Sequence, residues 1–391
     1  MLFLSFLTSF LLIISRIHAF DVMRYAEVQY SILYQEFLDS SKTAYPSVGR
    51  PEATAWETSN ATAGWTVGFF AGVYWNLAEN NMSQIGIKRA LDVTAPIVPG
   101  HNYIHRVDSG FVVMASFGNG YRLLKLPDYL DTIVGMANLL AEEYNGVRYC
   151  GNSTSTTSLF SIYIDNMMNL ELLFEAANQT KNETLYDIAF QYANVTLNHH
   201  FRENNSTYHI VVYNRTDCTA VRKHTAQGYA DWSTWSRGQS WAIYGFTVTY
   251  RYTKYQPFLD IAIGATNYVL GRLSNDTDLV PYWDYDAPYN STIPYQPRDT
   301  SAGAIFASAL IELSEYVPTS ELKNQYLTTA KTIIEQLSSS KYMIYGNPEY
   351  KLPALLANGT VGPYPRSLYD GSLSYSDYFF TQAIVRLRKL K

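Results

Sequence analysis

Apolar residues recur along this chain in long blocks that a helix would bury on every side, and most blocks are followed by a stretch carrying a single apolar stripe. The clearest block is Trp235–Thr253, WSRGQSWAIYGFTVTYRYT. It opens on the polar, Gly-containing turn Ser236-Arg237-Gly238-Gln239 and runs on with no acid and one further base, Arg251. A helix that is apolar or aromatic nearly all round sits in the middle of a structure. Similar openings occur at Trp65-Thr66-Val67-Gly68-Phe69-Phe70, Asp108-Ser109-Gly110-Phe111, Asp165-Asn166-Met167-Met168-Asn169, Asp299-Thr300-Ser301-Ala302 and Ser376-Asp377-Tyr378-Phe379-Phe380, six in all.

Between the blocks lie amphipathic candidates: Leu126 to Tyr144, Glu183 to Asn198, Phe258 to Leu273 and Thr319 to Ser338. Ahead of them Val22 to Leu38 has helical spacing and ends in Asp39-Ser40-Ser41-Lys42 and Pro46. Buried helices alternating with amphipathic ones predict an all-α (α/α)6 toroid, a six-hairpin barrel whose inner N-termini open on one mouth. The spacing is too irregular for a solenoid of fixed period. Phe201 to Asp231 breaks the pattern, with Thr207 to Tyr213 reading as a strand and Asn214 to Thr216 as a turn. This small β-containing insertion is expected to lie over the mouth, where loops on a rigid scaffold carry function.

With 47% hydrophobic and 16% charged residues in 391, the chain can bury a large core. It reads as one domain over residues 20–391, behind a signal peptide over 1–19. The signal is the apolar run Leu2 to Ile14, followed by Ile17-His18-Ala19 as a cleavage site before Phe20. The run is short for a membrane span, so a secreted protein with no membrane attachment after signal removal is expected. Asn-x-Ser/Thr acceptors at Asn60, Asn81, Asn152, Asn178, Asn182, Asn194, Asn214, Asn275, Asn290 and Asn358 agree with that route. Cys150 and Cys218 can pair in an oxidising compartment, and two cysteines make no framework. A net charge of −5 with no Lys/Arg-rich run excludes nucleic acid as a natural partner.

The entrance of the central block places Arg237 between Trp235 and Trp241. Indole faces stack on sugar C–H faces and a guanidinium fork reads carboxylates, so the trio suits an acidic sugar. A packed core with a paired arginine accounts for it as well. If the helix N-termini converge, Asp108, Asp165, Asp299 and Asp377 meet at one place. Each is also a good N-cap, the preferred reading for Asp299 and Asp377. Asp165 lies between apolar neighbours in Ile162-Tyr163-Ile164-Asp165-Asn166-Met167-Met168, where a raised pKa suits a general acid. Two carboxyls at one mouth also fit ordinary glycoside hydrolysis. His209 and Gln227 flank the insertion and can position a water or a substrate oxygen. There is no metal-ligand spacing, nucleophile elbow or phosphate loop, so no metal and no cofactor are expected.

The run His224 to Thr253, HTAQGYADWSTWSRGQSWAIYGFTVTYRYT, resembles the unsaturated glucuronyl hydrolases, glycoside hydrolase family 88. The openings at Trp65, Asp165 and Asp299 and the segment Ser206-Thr207-Tyr208-His209 resemble its other signatures, in its order. The likeness implies the six-hairpin barrel and an oligosaccharide substrate ending in a 4,5-unsaturated uronic acid, the product of polysaccharide lyases. It implies hydration of the C4=C5 enol ether, after which the hemiketal falls apart. Asp165 then matches the general acid and base, and Asp108 the second essential carboxylate. His209 and Gln227 match polar groups near the water and the ring; Arg237, Trp241, Trp65 and Phe111 match pocket residues, and Trp235 belongs to the same motif.

Two departures bear on subsite preference. Val107 stands where the family usually has His before this Asp, and Tyr375-Ser376-Asp377-Tyr378 replaces Trp-Gly-Asp-Tyr. The related unsaturated rhamnogalacturonyl hydrolases, which take pectin fragments, share fold and chemistry. A sugar-binding protein that has lost turnover is a rival of another class, against which Asp108, Asp165, His209 and Gln227 together argue. Nothing in the pattern specifies an oligomeric state.

Overall fold

The structure is a computed structural model describing residues 22–62, 64–97, 108–148 (side chains of 145–148 excepted), 159–291, 294–345 and 350–390. The expected signal peptide, Val107, Cys150 and the acceptor Asn152 lie outside the described residues.

Inner and outer helices alternate along the chain. The outer helix α1 (22–39) comes first. The inner α2 (Val67–Asn81) follows, then the outer α3 (Gln84–Thr94). The next inner element is broken into α4 (Ser109–Val113), a π-helical turn (Met114–Gly118) and α5 (Asn119–Leu124), and it turns into the outer α6 (Pro127–Arg148). A 3-10 turn (Ile164–Asn169) leads into the inner α7 (Leu170–Thr180), with α8 (Glu183–His199) outside it. Then come α9 (Ser236–Thr253) with α10 (Gln256–Leu273), α11 (Thr300–Leu313) with α12 (Ser320–Leu337), and the inner α13 (Ser374–Lys389). Each inner element packs on the next, and α13 packs back on α2, so the inner ring closes. The (α/α)6 toroid is the fold, and each amphipathic stretch predicted from periodicity is an outer helix.

The apolar-all-round pattern has the expected consequence. Every residue of α9 from Ser236 to Thr249 is buried, as is all of α11 except Glu312. Glycines let the inner helices approach closely: a Cβ on Gly68 would stand 2.4 Å from the Val112 carbonyl oxygen, and one on Gly245 2.5 Å from the Met167 Cβ. Four hairpins turn on the same device. Met82, Lys125, Lys181 and Lys254 are left-handed residues (φ 50, 54, 58 and 52°) whose N–H groups bond back to the last turn of the inner helix. Lysine there sets its charge against the negative end of the helix dipole, which offsets part of the strain.

Among the described residues, two three-stranded sheets accompany the helices. In one, β1 (Ala44–Gly49) lies between β2 (Glu57–Asn60) and β6 (Ser372–Leu373), so it ties the entry to α2 to the entry to α13. Pro46 is tolerated in β1 because β6 pairs only at Val48 and Gly49. The other sheet has the order β3 (Leu159–Tyr163), β4 (Ile210–Asn214), β5 (Ala220–His224). The predicted strand Thr207 to Tyr213 is thus displaced toward its C-terminal end, because Thr207 bridges to Phe201 and the Tyr208 amide bonds to the His200 carbonyl. Strand β3, outside the predicted insertion, supplies its missing partner. Among the described residues no helix is long and apolar enough to cross a membrane.

Candidate active site

The N-terminal ends of the inner helices surround a cavity of about 560 Å³, with the β3–β4–β5 sheet rising at one side. Trp65, Asp108, Phe111, Asp165, His209, Gln227, Arg237 and Trp241 all line it; Trp235 does not, and sits buried one layer behind. A second cavity of about 520 Å³ lies toward the opposite end of the barrel. Its charges neutralise one another: Arg251 meets Glu171 and Glu312, both at 2.7 Å, and Arg386 meets Glu312 at 3.0 Å. The two cavities are separated by a floor of aromatic rings. Phe111 packs on Trp241 (centroids 5.3 Å) and on Phe69 (5.8 Å), and Phe379 closes against Trp241 (5.2 Å).

Strand pairing brings Asp165 and His209 together. Tyr163 pairs with Ile210, and the Ile164 amide donates to the His209 carbonyl at 2.9 Å. The two side chains that follow and precede these residues are therefore neighbours, with His209 Nε2 3.4 Å from Asp165 Oδ2. That approach falls short of a hydrogen bond, and both atoms are buried without a hydrogen-bond partner among the described residues. Nδ1 of His209 faces the Ala226 and Gln227 amides at 3.3 and 3.4 Å. Amide N–H groups only donate, so in the neutral ring Nδ1 is the acceptor and the proton resides on Nε2, toward Asp165. Trp235 stacks behind the imidazole (4.5 Å, 29°) and fixes its plane.

Asp108 occupies the N-cap position of α4 but makes no capping bond to it; Asn169 Oδ1 accepts from the Gly110 amide instead, at 2.8 Å. Burial, with the Asp165 charge adding to it, pushes the Asp108 carboxyl up to about 7. Asp299 does cap its helix, accepting from the Ser301 amide at 3.1 Å. Asp377 is no cap. It lies inside α13 and accepts from the Leu355 and Leu356 amides and the Tyr30 hydroxyl, with burial holding its carboxyl up at about 7.

Of the two readings open for Arg237, the structure shows its guanidinium paired within the protein. Nη1 donates to Asp299 Oδ2 (2.6 Å) and the Thr360 carbonyl (2.6 Å), and Nη2 to Gln227 Oε1 (2.8 Å) and the Val361 carbonyl. The guanidinium lies between the Trp235 ring (4.5 Å) and the Tyr375 ring (5.4 Å). Because the cap of α11 puts a carboxylate beside it, the paired-arginine reading is the one observed. Arg237 still touches the cavity, as the clamp that holds the Gln227 carboxamide oxygen. The loop after Gln227 is pinned by Asp284, which accepts from the Tyr229 amide (2.9 Å) and the Ser233 hydroxyl (2.7 Å).

Sequence reasoning missed several lining residues. Tyr144 and Tyr192 stack at 4.2 Å, and their hydroxyls bond Asn169 Nδ2 (3.0 Å) and Asn166 Oδ1 (3.1 Å). Phe160, Ser161, Tyr163 and Arg215 line the cavity from the sheet, Glu143 from α6 and Tyr375 from α13. Tyr163 and Tyr375 stood within motifs already singled out, and Arg215 within the insertion; the others needed β3 and the helix packing. Among the described residues no three His, Cys, Asp or Glu side chains converge as a metal site.

A family model for Glycosyl Hydrolase Family 88 matches residues 41–348. An unsaturated glucuronyl hydrolase from Formosa agariphila is 36% identical over 334 residues, covering 83% of this chain and 80% of that protein. An unsaturated chondroitin disaccharide hydrolase from Streptococcus agalactiae is 29% identical, covering 83% and 81%. The crystal structure of an unsaturated glucuronyl hydrolase specific for heparin superposes with a TM-score of 0.83 at 27% identity, over 95% of this chain and 97% of its own. These relatives match the barrel over most of its length in sequence and in shape: the chain belongs to Glycosyl Hydrolase Family 88 and is a glycosidase of the unsaturated glucuronyl hydrolase type.

Proposed function

We propose that the protein acts outside the cell, removing a 4,5-unsaturated uronic acid from the non-reducing end of lyase-generated oligosaccharides by hydrating its C4=C5 bond. The observation that carries this reading is the buried pair Asp165 Oδ2 and His209 Nε2, unpartnered by hydrogen bonds and lining a cavity whose floor is closed. A closed floor admits a chain end and excludes a chain that runs through. In the reaction Asp165, as the acid, gives its proton to C4, and the positive charge that develops at C5 and the ring oxygen is stabilised by the carboxylate left behind. Water adds to C5 and returns a proton to Asp165, with His209 Nε2–H donating to the incoming or ring oxygen. The C5 hemiketal opens to a ketone, and the C1 hemiacetal so exposed expels the shortened oligosaccharide as an alcohol, leaving an aldehyde. Asp108, whose proton is held up to about pH 7, keeps a second acid beside the first.

Relatives named for glucuronyl and chondroitin substrates favour this reading over pectin fragments. Secretion draws support from the apolar N-terminal run and from the acceptors. Asn60, Asn81, Asn178, Asn182, Asn275 and Asn290 are exposed, and Asn194, Asn214 and Asn358 are partly so. It also draws support from Cys218, which is disulfide-bonded, as suits an oxidising compartment.

The C4=C5 bond conjugated to the carboxylate absorbs in the ultraviolet, and hydration destroys the chromophore. Its loss on oligosaccharides from glucuronan, hyaluronan and chondroitin is expected for the wild type and not for Asp165→Asn. Binding without loss by the wild type on every one would replace the enzyme with a sugar-binding protein.

A further inference from the structure

One cation in the cavity is not consumed by the protein. The guanidinium of Arg215 lies over the Phe160 ring at 5.0 Å, and Phe160 in turn stacks on Tyr213 (5.2 Å, 18°). Its Nε is buried without a hydrogen-bond partner, and among the described residues no carboxylate forms an ion pair with it. The other lining arginine, Arg237, has both terminal nitrogens bonded within the protein. A guanidinium held over an aromatic ring with its Nε shut off from water is preorganised for an anion, and its fork matches carboxylate and sulfate alike.

The sheet says which part of a substrate Arg215 meets. Strand β4 begins beside His209 and ends just before Arg215, and six residues of extended chain span about 20 Å. The barrel end of the sheet is buried at Ile162 and Ile164, whereas Leu159, paired with Asn214 at the other end, is 49% exposed. Arg215 is therefore at the outer end of the cavity wall, away from Asp165 and beyond the ring that reacts.

We propose that Arg215 is an anion-reading subsite for the leaving-group sugars, so that the protein prefers oligosaccharides carrying a carboxylate or sulfate beyond the unsaturated uronic acid. The proposal rests on the hydration reading above and adds to it the chemistry of the part released. It explains why an otherwise acidic mouth, lined by Asp108, Asp165 and Glu143, keeps a positive group on its sheet side.

The test compares kcat/KM, from loss of the ultraviolet chromophore, on three substrates: the unsaturated hyaluronan disaccharide, whose second sugar is neutral, a sulfated chondroitin disaccharide, and a glucuronan trisaccharide. For the wild type the acidic substrates are expected to lead. In Arg215→Gln the ratio of acidic to neutral is expected to fall about ten- to a hundredfold, the worth of a charge-assisted hydrogen bond. Arg215→Lys should retain part of the preference, and added salt should weaken it in the wild type. A fall confined to the sulfated or to the uronate substrate identifies which anion is read. An unchanged ratio in Arg215→Gln, with equal melting temperatures, overturns the subsite and leaves the hydration reading standing; no turnover of any substrate by the wild type overturns the reading itself.

Discussion

His209 presents Nε2 to Asp165 Oδ2 at 3.4 Å while its Nδ1 faces two backbone amides, those of Ala226 and Gln227. The loop after β5 thus decides which nitrogen carries the proton. His209→Ala removes that donor and leaves two amides without their acceptor. It is expected to lower kcat by about a hundredfold or more, within the range for a group positioned for proton transfer. His209→Gln, which can restore an N–H near the Nε2 position, should recover part of the loss. Equal rates for wild type and His209→Ala in the chromophore assay would remove the histidine from the mechanism.

The carboxyl of Asp108 is lifted to about 7 by burial, with the Asp165 charge second. A raised acid holds its proton as pH rises from the ordinary carboxylate range and loses it through about 7, where the like charge of its neighbour begins to count in full. The mouth therefore carries an extra proton below neutrality and an extra negative charge above it. Since the first step consumes a proton, kcat/KM is expected to fall on the alkaline side of about 7, and Asp108→Asn should abolish that limb. A profile that rises through 7 would show that the ionised form of Asp108, not the protonated one, supports turnover.

The Arg237–Asp299 pair is wholly buried, its side chains 3% and 0% exposed. Removing one partner of a buried pair strands the other charge and costs about 3–5 kcal/mol. Arg237→Ala should therefore lower the denaturation midpoint with no substrate present, and Asp299→Asn in the same chain should return part of the loss. A variant as stable as wild type but with a raised KM would restore Arg237 to the substrate.

Asp377 makes the same kind of statement about pH. Its folded-state carboxyl is at about 7, against an ordinary value of 3.8, so between those limits the folded chain binds more protons than the unfolded chain. The stability it contributes is full below the ordinary value and is lost as pH rises through 7. Chemical denaturation at pH 5 and pH 8 should show wild type losing ground to Asp377→Asn at the higher pH. The substitution itself should cost about 1–3 kcal/mol at pH 5, because Asn accepts less well from the Leu355 and Leu356 amides. An offset independent of pH would mean that Asp377 does not titrate in the fold.

Elements that rest on short-range pattern were legible in the sequence. The inner helices announce themselves because no face of Trp235–Thr253 or of the run after Asp299 is polar, and the outer ones because a single stripe repeats. Residues met at helix openings, such as Asp108, Asp165 and Trp65, could be placed at one mouth by the same logic. What was not legible depends on partners distant in the chain. Leu159-Phe160-Ser161-Ile162-Tyr163 reads as apolar flanking for Asp165 until β4 is set beside it, and only then does Phe160 face Arg215. The fate of Arg237 was hidden for the same reason, since Asp299 and the Thr360 and Val361 carbonyls that engage it lie 62 to 124 residues away.

The aromatic floor under the cavity also dictates the order in which things leave. A sugar resting on Phe111 and Trp241 has no back door, since Phe69 and Phe379 fill the axis beneath. The fragment nearest the solvent must depart before the freed monosaccharide can follow, so the first sugar in is the last out. Each oligosaccharide is trimmed once, because the end left on the shortened chain carries no C4=C5 bond to hydrate.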